Sequence, residues 1–252
     1  MPHYIHLAEA KSTNTYVAEQ ASHLPHGAVV YTYRQTQGRG QKGNSWESEP
    51  EKNLAFSFLL KNPGIAPSRQ FYISEAVSIA VAEMLSQMVP DGIRIKWPND
   101  IYYHDQKICG ILIENTLCGN AIAHAIIGIG INVNQERFVS DAPNPVSLKN
   151  ITGKDYDLDA LLHDVNERIE QLTRFTPGDE AALEALHHHY LSLLYRADGK
   201  AHRWQLPTGE NFVGTIEDVL PDGLLLIRHE PSGEIGKYYF KEVKHVINQH
   251  IL

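Results

Sequence analysis

The sequence predicts an α+β fold: a mixed β-sheet with flanking helices, followed by a small all-β domain. Along most of the chain, short β-branched runs alternate with stretches of helical apolar spacing. Beyond residue 197, only short strand-like runs separated by tight turns remain. The 252 residues are 42% hydrophobic, which suffices for one large core and a smaller one. We therefore expect two domains, at residues 1–197 and 198–252.

Five runs of the first domain have the composition of strands. They are short, rich in β-branched or aromatic residues, and bounded by turn residues. These runs lie at residues 29–33, 54–60, 93–97, 108–114 and 121–133. Together they predict the sheet of the larger domain.

Four segments have helical spacing. A short early helix is predicted at residues 13–22. Ser68 is the predicted N-cap of a second helix, whose apolar residues recur every three or four positions until Pro90 ends it. Two more helices are predicted at residues 158–175 and 179–195. We expect the apolar faces of these helices to pack on the sheet.

The second domain is predicted to be a small antiparallel barrel. Turns rich in proline and glycine at residues 207–209, 221–223 and 231–233 separate its strand-like runs. About fifty residues is marginal for an independent core. We therefore expect this domain to dock on the larger one.

Composition excludes several classes of protein. The net charge is −8, whereas nucleic-acid binders usually carry a basic surplus, so a DNA partner, which we do not expect, would need a local basic patch that the totals hide. Cys109 and Cys118 are the only cysteines, which excludes a disulfide framework or zinc ribbon and suits a reducing cytoplasm. No apolar run approaches the ~18 residues of a membrane helix. We expect a soluble, cytoplasmic protein that does not contact membranes.

Three contiguous histidines, at residues 187–189, lie in the last predicted helix. On a helix they point in three directions, whereas a metal-binding pair needs i, i+4 spacing. We interpret them as part of a solvated helix face and predict no metal site.

The segment QTQGRGQKGNSW, at residues 35–46, has the composition of an anion-binding loop. Glycines let backbone N–H groups approach a ligand, while Arg39 and Lys42 supply positive charge for a phosphate or a carboxylate. It is not a P-loop, because Asn44 follows the last glycine instead of lysine, and no helix follows as a dinucleotide fingerprint requires. A flexible surface loop is the alternative.

A second polar group occurs where a strand ends. Lys96 and Trp97 close one predicted strand, Pro98 stops it, and Asp100 lies in the turn that follows. Lys107 immediately precedes the next strand, where partial burial would require an anionic partner or ligand. The alternative is an exposed hairpin lysine beside an ordinary turn.

Taken together, these motifs resemble those of the biotin protein ligases. The matching stretches are Q-x-x-G-R-G-x-x-G-x-x-W from Gln35 to Trp46, K-W-P-N-D at 96–100, K-x-x-G-I-L-x-E from Lys107 to Glu114, and G-I-G-I-N at 128–132. The early Ser12-Thr13-Asn14 also resembles the family's biotin-contacting stretch. The resemblance covers essentially the whole chain. It implies a class II synthetase-like catalytic domain and an SH3-like C-terminal barrel.

The resemblance implies a reaction in two steps. Biotin and Mg²⁺-ATP form biotinyl-5′-AMP and pyrophosphate, and a lysine of a biotin carboxyl carrier protein domain then displaces AMP. The implied catalytic residues are Lys107, Asp100, Arg39 and Lys96. The implied biotin-binding residues are Ser12, Thr13, Asn14, Gln35, Gly38, Arg39, Lys107 and Gly110. The implied ATP-binding or adenylate-binding residues are Arg39, Gly40, Gln41, Lys42, Trp46, Lys96, Asn99 and Asn132. A monomer or a homodimer is expected.

The chain departs from the family at one position and leaves two alternatives open. Many relatives have a second arginine in the loop where this chain has Gln41, which brings no charge. Lipoyl or octanoyl transferases share the general fold and also load carrier lysines. A non-catalytic biotin-sensing regulator is the other alternative, although the motifs begin near residue 12, so we expect a short form without an N-terminal DNA-binding domain.

Overall fold

A computed structural model describes residues 3–139 and 144–247 of the chain, without the side chain of Lys42. The elements of the larger domain are β1 (His3–His6), α1 (Thr13–Gln20), β2 (Ala28–Thr32), β3 (Gly38–Arg39), β4 (Ser45–Trp46), β5 (Leu54–Lys61), α2 (Phe71–Met88), β6 (Ile93–Lys96), β7 (Asp100–Tyr103), β8 (Gln106–Cys118), β9 (Ala121–Ile131), α3 (Leu148–Thr152), α4 (Leu158–Leu172) and α5 (Glu180–Leu193). The C-terminal elements are β10 (His202–Gln205), β11 (Asn211–Val219), β12 (Leu225–Glu230), β13 (Ile235–Tyr238) and β14 (Lys244–His245).

Seven strands form one mixed sheet, in the order β1-β2-β5-β9-β8-β7-β6. The edge pair β1 and β2 is parallel, and the remaining neighbours are antiparallel. This confirms the predicted mixed sheet with flanking helices. The long β8–β9 hairpin places Gly110 directly opposite Gly130.

The helices cover the two faces of the sheet unequally. Val30 and Leu59 pack with Val17 of α1 on one face. Val29 and Phe58, which point the other way because side chains alternate along a strand, belong to the core formed with α2, α4 and α5. Since α1 has only eight residues, neighbouring loops cover much of the sheet face on which this helix packs.

The central helix α2 begins differently from the prediction. Ser68 lies in a short 3₁₀ turn instead of capping the helix, and Gln70 occupies the N-cap position without a side-chain cap. The N–H of Phe71 instead donates to the carbonyl of Pro221, at 3.1 Å, in the C-terminal domain. One of the unpaired donors at the helix start is thereby satisfied by a distant part of the chain. The predicted end before Pro90 is confirmed, since the helix ends at Met88.

The C-terminal strands form a five-stranded antiparallel sheet, in the order β13-β12-β11-β10-β14. Trp204 and Ile227 belong to the same core as the larger sheet. The indole N–H of Trp97 donates to the carbonyl of Gly223 at 3.0 Å. The expected docking on the larger domain is confirmed, whereas closure of this sheet into a barrel stays a prediction.

His187 connects the two sheets through α5. Its Nδ1 lies 2.8 Å from a carboxylate oxygen of Glu75 on α2, and its Nε2 lies 2.8 Å from Asp218 on β11. The hydrogen bond to Glu75, which is fully buried, raises the pKa of His187 to about 9. The prediction of a solvated face therefore holds for His188 and His189, which are exposed, and is wrong for His187. None of the helices in the described ranges is both long and apolar enough to cross a membrane.

Candidate functional site

A cavity of about 100 Å³ lies on the α1 side of the large sheet, at the middle of β8 and β9. We call it the first cavity. It brings together twelve of the residues predicted from sequence: Ser12, Thr13, Asn14, Gln35, Arg39, Gly40, Gln41, Trp46, Asn99, Asp100, Lys107 and Gly110. These residues come from three separate stretches of the chain, which the sheet topology places side by side.

Four predicted residues lie elsewhere or are not described. Gly38, on β3, lies just outside the first cavity, where an added Cβ would meet the side chain of Gln35 at 2.9 Å. Asn132 is buried, does not line the cavity, and donates to the carbonyl of Val146 at 3.1 Å. The side chain of Lys42 lies outside the described part of the chain. Lys96 faces a second cavity, described below.

Bare backbone forms the floor of the first cavity. The ring of Trp46 rests against Gly130 and Gly110, and a Cβ added to Gly130 would lie well inside van der Waals contact with the indole. Gly128 is equally close to the side chain of Asn14. Gly128 and Gly130 had no role assigned from sequence. Their role could have been predicted, because two glycines at i and i+2 lie on one face of a strand and let another group approach the backbone closely.

The inner end of the cavity is polar. Ser57 Oγ lies 2.6 Å from Asn14 Oδ1 and 2.7 Å from Thr13 Oγ1. Because the amide oxygen only accepts, Ser57 donates to Asn14 and accepts from Thr13. The backbone N–H of Thr13 donates to the side-chain oxygen of Gln35 at 3.0 Å. Ser57, which is fully buried on β5, was missed from sequence because it lies within an apolar run.

Glu114 links the early stretch to the glycine loop. Its Oε2 accepts from the side-chain amide of Asn14 at 2.8 Å and from Arg39 Nη2 at 3.0 Å. Arg39 thus reaches from the loop over the sheet, although its side chain remains 45% exposed. Glu114 was part of a matched motif, but no role was assigned to it.

Asp100 and Lys107 form an ion pair at the mouth of the cavity. Lys107 Nζ lies 2.7 Å from Asp100 Oδ1, and 5.6 Å from the centre of a Trp46 ring. The sequence predicted Asp100 in a turn, whereas this residue begins strand β7. The buried amide of Asn99 donates to the carbonyl of Ile111. Asn99 therefore ties this corner to β8 and presents Asp100 to the cavity.

Lys96 lines a second cavity, of about 340 Å³, between β6 and the C-terminal sheet. Its Nζ lies 4.7 Å from the centre of the Tyr102 ring. Burial lowers the pKa of Lys96, partly offset by the charge of Asp100. Phe240 lines both cavities, so the two adjoin.

Comparisons with known proteins agree on one family. The model of the biotin/lipoate A/B protein ligase family matches residues 7–132. The bifunctional ligase/repressor BirA of Escherichia coli is 34% identical over 133 residues, which are 53% of this chain and 41% of that protein. The chain thus spans less than half the length of this relative. A biotin--[acetyl-CoA-carboxylase] ligase of Paracoccus denitrificans is 30% identical over 162 residues, 62% of this chain and 67% of that protein.

A solved structure matches over nearly the full chain. The biotin protein ligase of Aquifex aeolicus in complex with biotin and ATP has a TM-score of 0.79 at 26% identity. The match covers 98% of this chain and 100% of that one. It therefore includes both the large sheet and the C-terminal sheet.

Proposed function

Because the chain belongs to the biotin/lipoate A/B protein ligase family, we propose that it activates biotin with ATP and transfers it to a carrier lysine. The intermediate is biotinyl-5′-AMP, and the acceptor is a biotin carboxyl carrier protein domain. One observation carries the proposal. A polar end formed by Thr13 and Asn14 and a cationic mouth containing Arg39 and Lys107 lie in a single cavity over a glycine floor.

In the first step, a carboxylate oxygen of biotin attacks the α-phosphorus of ATP, and the bond to pyrophosphate breaks. Two anions must be brought together, and negative charge develops on the phosphoryl oxygens. Lys107 and Arg39 supply the positive charge that this step requires. Both are held by protein carboxylates, Asp100 and Glu114, so the ligand anions exchange with these partners.

In the second step, a lysine nitrogen attacks the carbonyl of the mixed anhydride, and the bond to AMP breaks. The nitrogen loses a proton, for which Asp100 at the mouth of the cavity is the candidate acceptor. Once Lys107 turns to the ligand, the carboxylate of Asp100 is free to accept that proton.

Mg²⁺ would enter as part of the ATP complex. Mg²⁺ is usually held by one or two carboxylates together with substrate phosphates. Among the described residues that line the first cavity, Asp100 is the only carboxylate. It would be the protein ligand, and the phosphates of ATP would supply the others. The described ranges contain no group of three or more potential metal ligands.

The loop at residues 35–46 has to move for both substrates to enter. The first cavity holds about 100 Å³, whereas small-molecule sites typically hold roughly 300 Å³ or more. Trp46 and Gln41 of this loop form part of its wall. Outward movement of the loop would admit the substrates, and its return would exclude water from the adenylate.

We propose the finer assignments on the same basis. The catalytic domain comprises residues 1–197, and the second domain comprises residues 198–252. The protein acts in the cytoplasm, as a monomer or a homodimer, without binding DNA, which its net charge of −8 disfavours. A gel shift that is saturable by one duplex sequence at moderate salt would contradict the last assignment.

Transfer of a lipoyl or octanoyl group is the second candidate, since the family name covers lipoate ligases as well. An alkyl chain needs an apolar pocket along its length. The buried polar group of Thr13, Asn14 and Ser57 instead suits the ureido ring of biotin, which both donates and accepts hydrogen bonds. Titration of the protein with biotin, lipoate and octanoate separates the candidates, and we expect biotin to bind most tightly.

The decisive experiment is incubation with biotin, Mg²⁺-ATP and a biotin carrier domain, followed by mass spectrometry. We expect the carrier to gain one biotinyl group, located at a single lysine. A carrier variant in which that lysine is replaced by arginine serves as the control. No mass gain by the intact carrier with folded protein would overturn the proposal.

A further inference from the structure

The glycine-rich loop that covers the first cavity is attached to the rest of the molecule at both ends. At its start, the backbone N–H groups of residues 36–37 donate to the carbonyls of residues 10–11, at 2.9 and 2.8 Å. At its end, the carboxylate of Glu47 accepts from the side chain of Gln135 at 2.9 Å. Residues 38–46, which contain the paired strands β3 and β4, lie between these two attachments. We call them the covering hairpin.

Gln135, at the second attachment, is buried and uses the full hydrogen-bonding capacity of its side chain. Its Nε2 donates to Glu47 and, at 2.8 Å, to the carbonyl of Arg137. Its Oε1 accepts from the backbone N–H of Glu49 at 3.0 Å and from the side-chain amide of Asn53. Because a side-chain amide has two donor hydrogens and one acceptor oxygen with two lone pairs, no other group can replace one of these partners without loss.

The segment that follows Glu47 is fixed to the large sheet. The N–H of Glu51 donates to the carbonyl of Tyr33 at 2.8 Å, and the N–H of Asn134 donates to the carbonyl of Lys52 at 2.7 Å. Gln135 lies four residues beyond the end of β9, the strand whose glycines form the floor of the first cavity. The end of the covering hairpin is therefore held in register with that floor.

From this arrangement we propose that Gln135 is a positioning residue, which holds Glu47 and thereby sets the closed position of the covering hairpin. The hairpin carries Arg39 and Trp46, which line the first cavity, whereas Gln135 does not line it and acts through Glu47. The hairpin would swing about its two attachments to admit ligands, and the hydrogen bond to Gln135 would return Trp46 to the glycine floor. This inference rests on the proposed function only in naming biotin as the ligand that the closed hairpin retains.

Gln135→Glu tests the contact with Glu47. The variant keeps an acceptor oxygen for Asn53 but replaces the donor to Glu47 with a second carboxylate. In the free protein, acrylamide should quench Trp46 more strongly than in the wild type, as measured by comparing each protein with its Trp46→Phe counterpart. By isothermal titration, the Kd for biotin should rise roughly five- to thirtyfold.

Asn166→Ala is the matched control. Asn166 is a fully buried amide on α4 that donates to the hydroxyl of Tyr4 at 3.1 Å, and neither residue lines the first cavity. The substitution also removes a buried amide, so it measures the effect of lost stability alone, and both readouts should stay at their wild-type values. Adding Glu47→Gln to Gln135→Glu exchanges donor and acceptor, and this double variant should recover at least about twofold in biotin affinity.

Circular dichroism and the Tm show whether each variant is folded, and Gln135→Met takes the same measurements if Gln135→Glu is not. The proposal is overturned if quenching of Trp46 does not change in the folded variant, or if Asn166→Ala has the same effect. It is also overturned if the exchange with Glu47 recovers no affinity. A wild type that binds no biotin would contradict the proposed function, while quenching of Trp46 in the free protein would still decide the role of Gln135.

Discussion

Lys107 Nζ lies 2.7 Å from Asp100 Oδ1, and each side chain is at most a quarter exposed. The pair lies at the mouth of the first cavity, so a bound anion competes with Asp100 for the lysine. The ion pair holds this cation at the site before an anion binds, and stabilisation by charge that is positioned in advance is usually the largest single term in enzyme catalysis.

Replacing Lys107 by alanine should strongly impair adenylate formation. Loss of one preorganised donor to a developing negative charge typically lowers the rate by ~10²–10³. Pyrophosphate release in the presence of biotin and ATP measures this step. Lys154→Ala, at an exposed lysine distant in sequence from the site, is the control and should retain the wild-type rate. A near-normal rate in a folded Lys107→Ala protein would show that this lysine is only a hairpin residue.

Replacing Gly130 by alanine should displace Trp46 from the sheet, because the new methyl group overlaps the indole. Overpacking of this kind typically costs ~1–3 kcal/mol. We expect weaker biotin binding and a red-shifted tryptophan emission. A double-mutant cycle isolates the contact, since Gly130→Ala should have little further effect on biotin affinity when Trp46→Ala is already present. Equal losses in both backgrounds would refute the contact.

His187 predicts a loss of stability at alkaline pH. Its pKa is raised from 6.5 to about 9, chiefly by the hydrogen bond to Glu75. Because the pKa of the folded state exceeds that of the unfolded state, the stabilisation is complete below pH 6.5 and is lost as the pH rises through 9. The contribution is at most on the order of 3 kcal/mol, and the burial that raises the pKa of Glu75 reduces it.

Urea titrations at several pH values measure this effect. The free energy of unfolding should fall less steeply with pH in His187→Gln than in the wild type. His188→Gln, at the neighbouring exposed histidine, should retain the wild-type slope. If both variants keep that slope, another group is responsible for the alkaline transition.

Gln41 lines the first cavity, at the loop position where the resemblance to the family leads us to expect a second arginine. If this position faces the phosphate of the intermediate, Gln41→Arg adds a charge-assisted hydrogen bond worth ~1.5–3 kcal/mol. Release of biotinyl-5′-AMP should then slow by about tenfold or more, while the affinity for free biotin, which has no phosphate, stays unchanged. Stopped-flow dissociation from both proteins provides the measurement. Identical rates would show that residue 41 does not meet the phosphate.

Much of the candidate site could be predicted because its motifs resemble those of a known family. The residues alone pointed only to a glycine-rich anion-binding loop and to polar side chains where a strand ends. Contacts between distant segments could not be predicted. Arg39 and Glu114 are 75 positions apart, and their meeting depends on how the loop crosses the sheet. Lys96 faces the second cavity because the C-terminal sheet closes over that edge, which no local pattern indicates.

The partly buried position of His187 is predictable from the spacing of the apolar residues around it on α5. Leu183, Tyr190 and Leu194 are buried, and their spacing defines the inward stripe of α5. His187 lies four residues after Leu183 and three before Tyr190, so it belongs to that stripe. His188 and His189 fall outside this stripe, so the three adjacent histidines do not share one environment.

The hydrogen bond from Phe71 to Pro221 also bears on how the chain folds during synthesis. The first turn of α2 obtains this acceptor only after about 150 further residues have been made. The indole N–H of Trp97 likewise obtains its acceptor, the carbonyl of Gly223, only when the C-terminal sheet has been made. The strands of the large sheet therefore emerge from the ribosome before Phe71 and Trp97 have these acceptors, which the last fifth of the chain supplies.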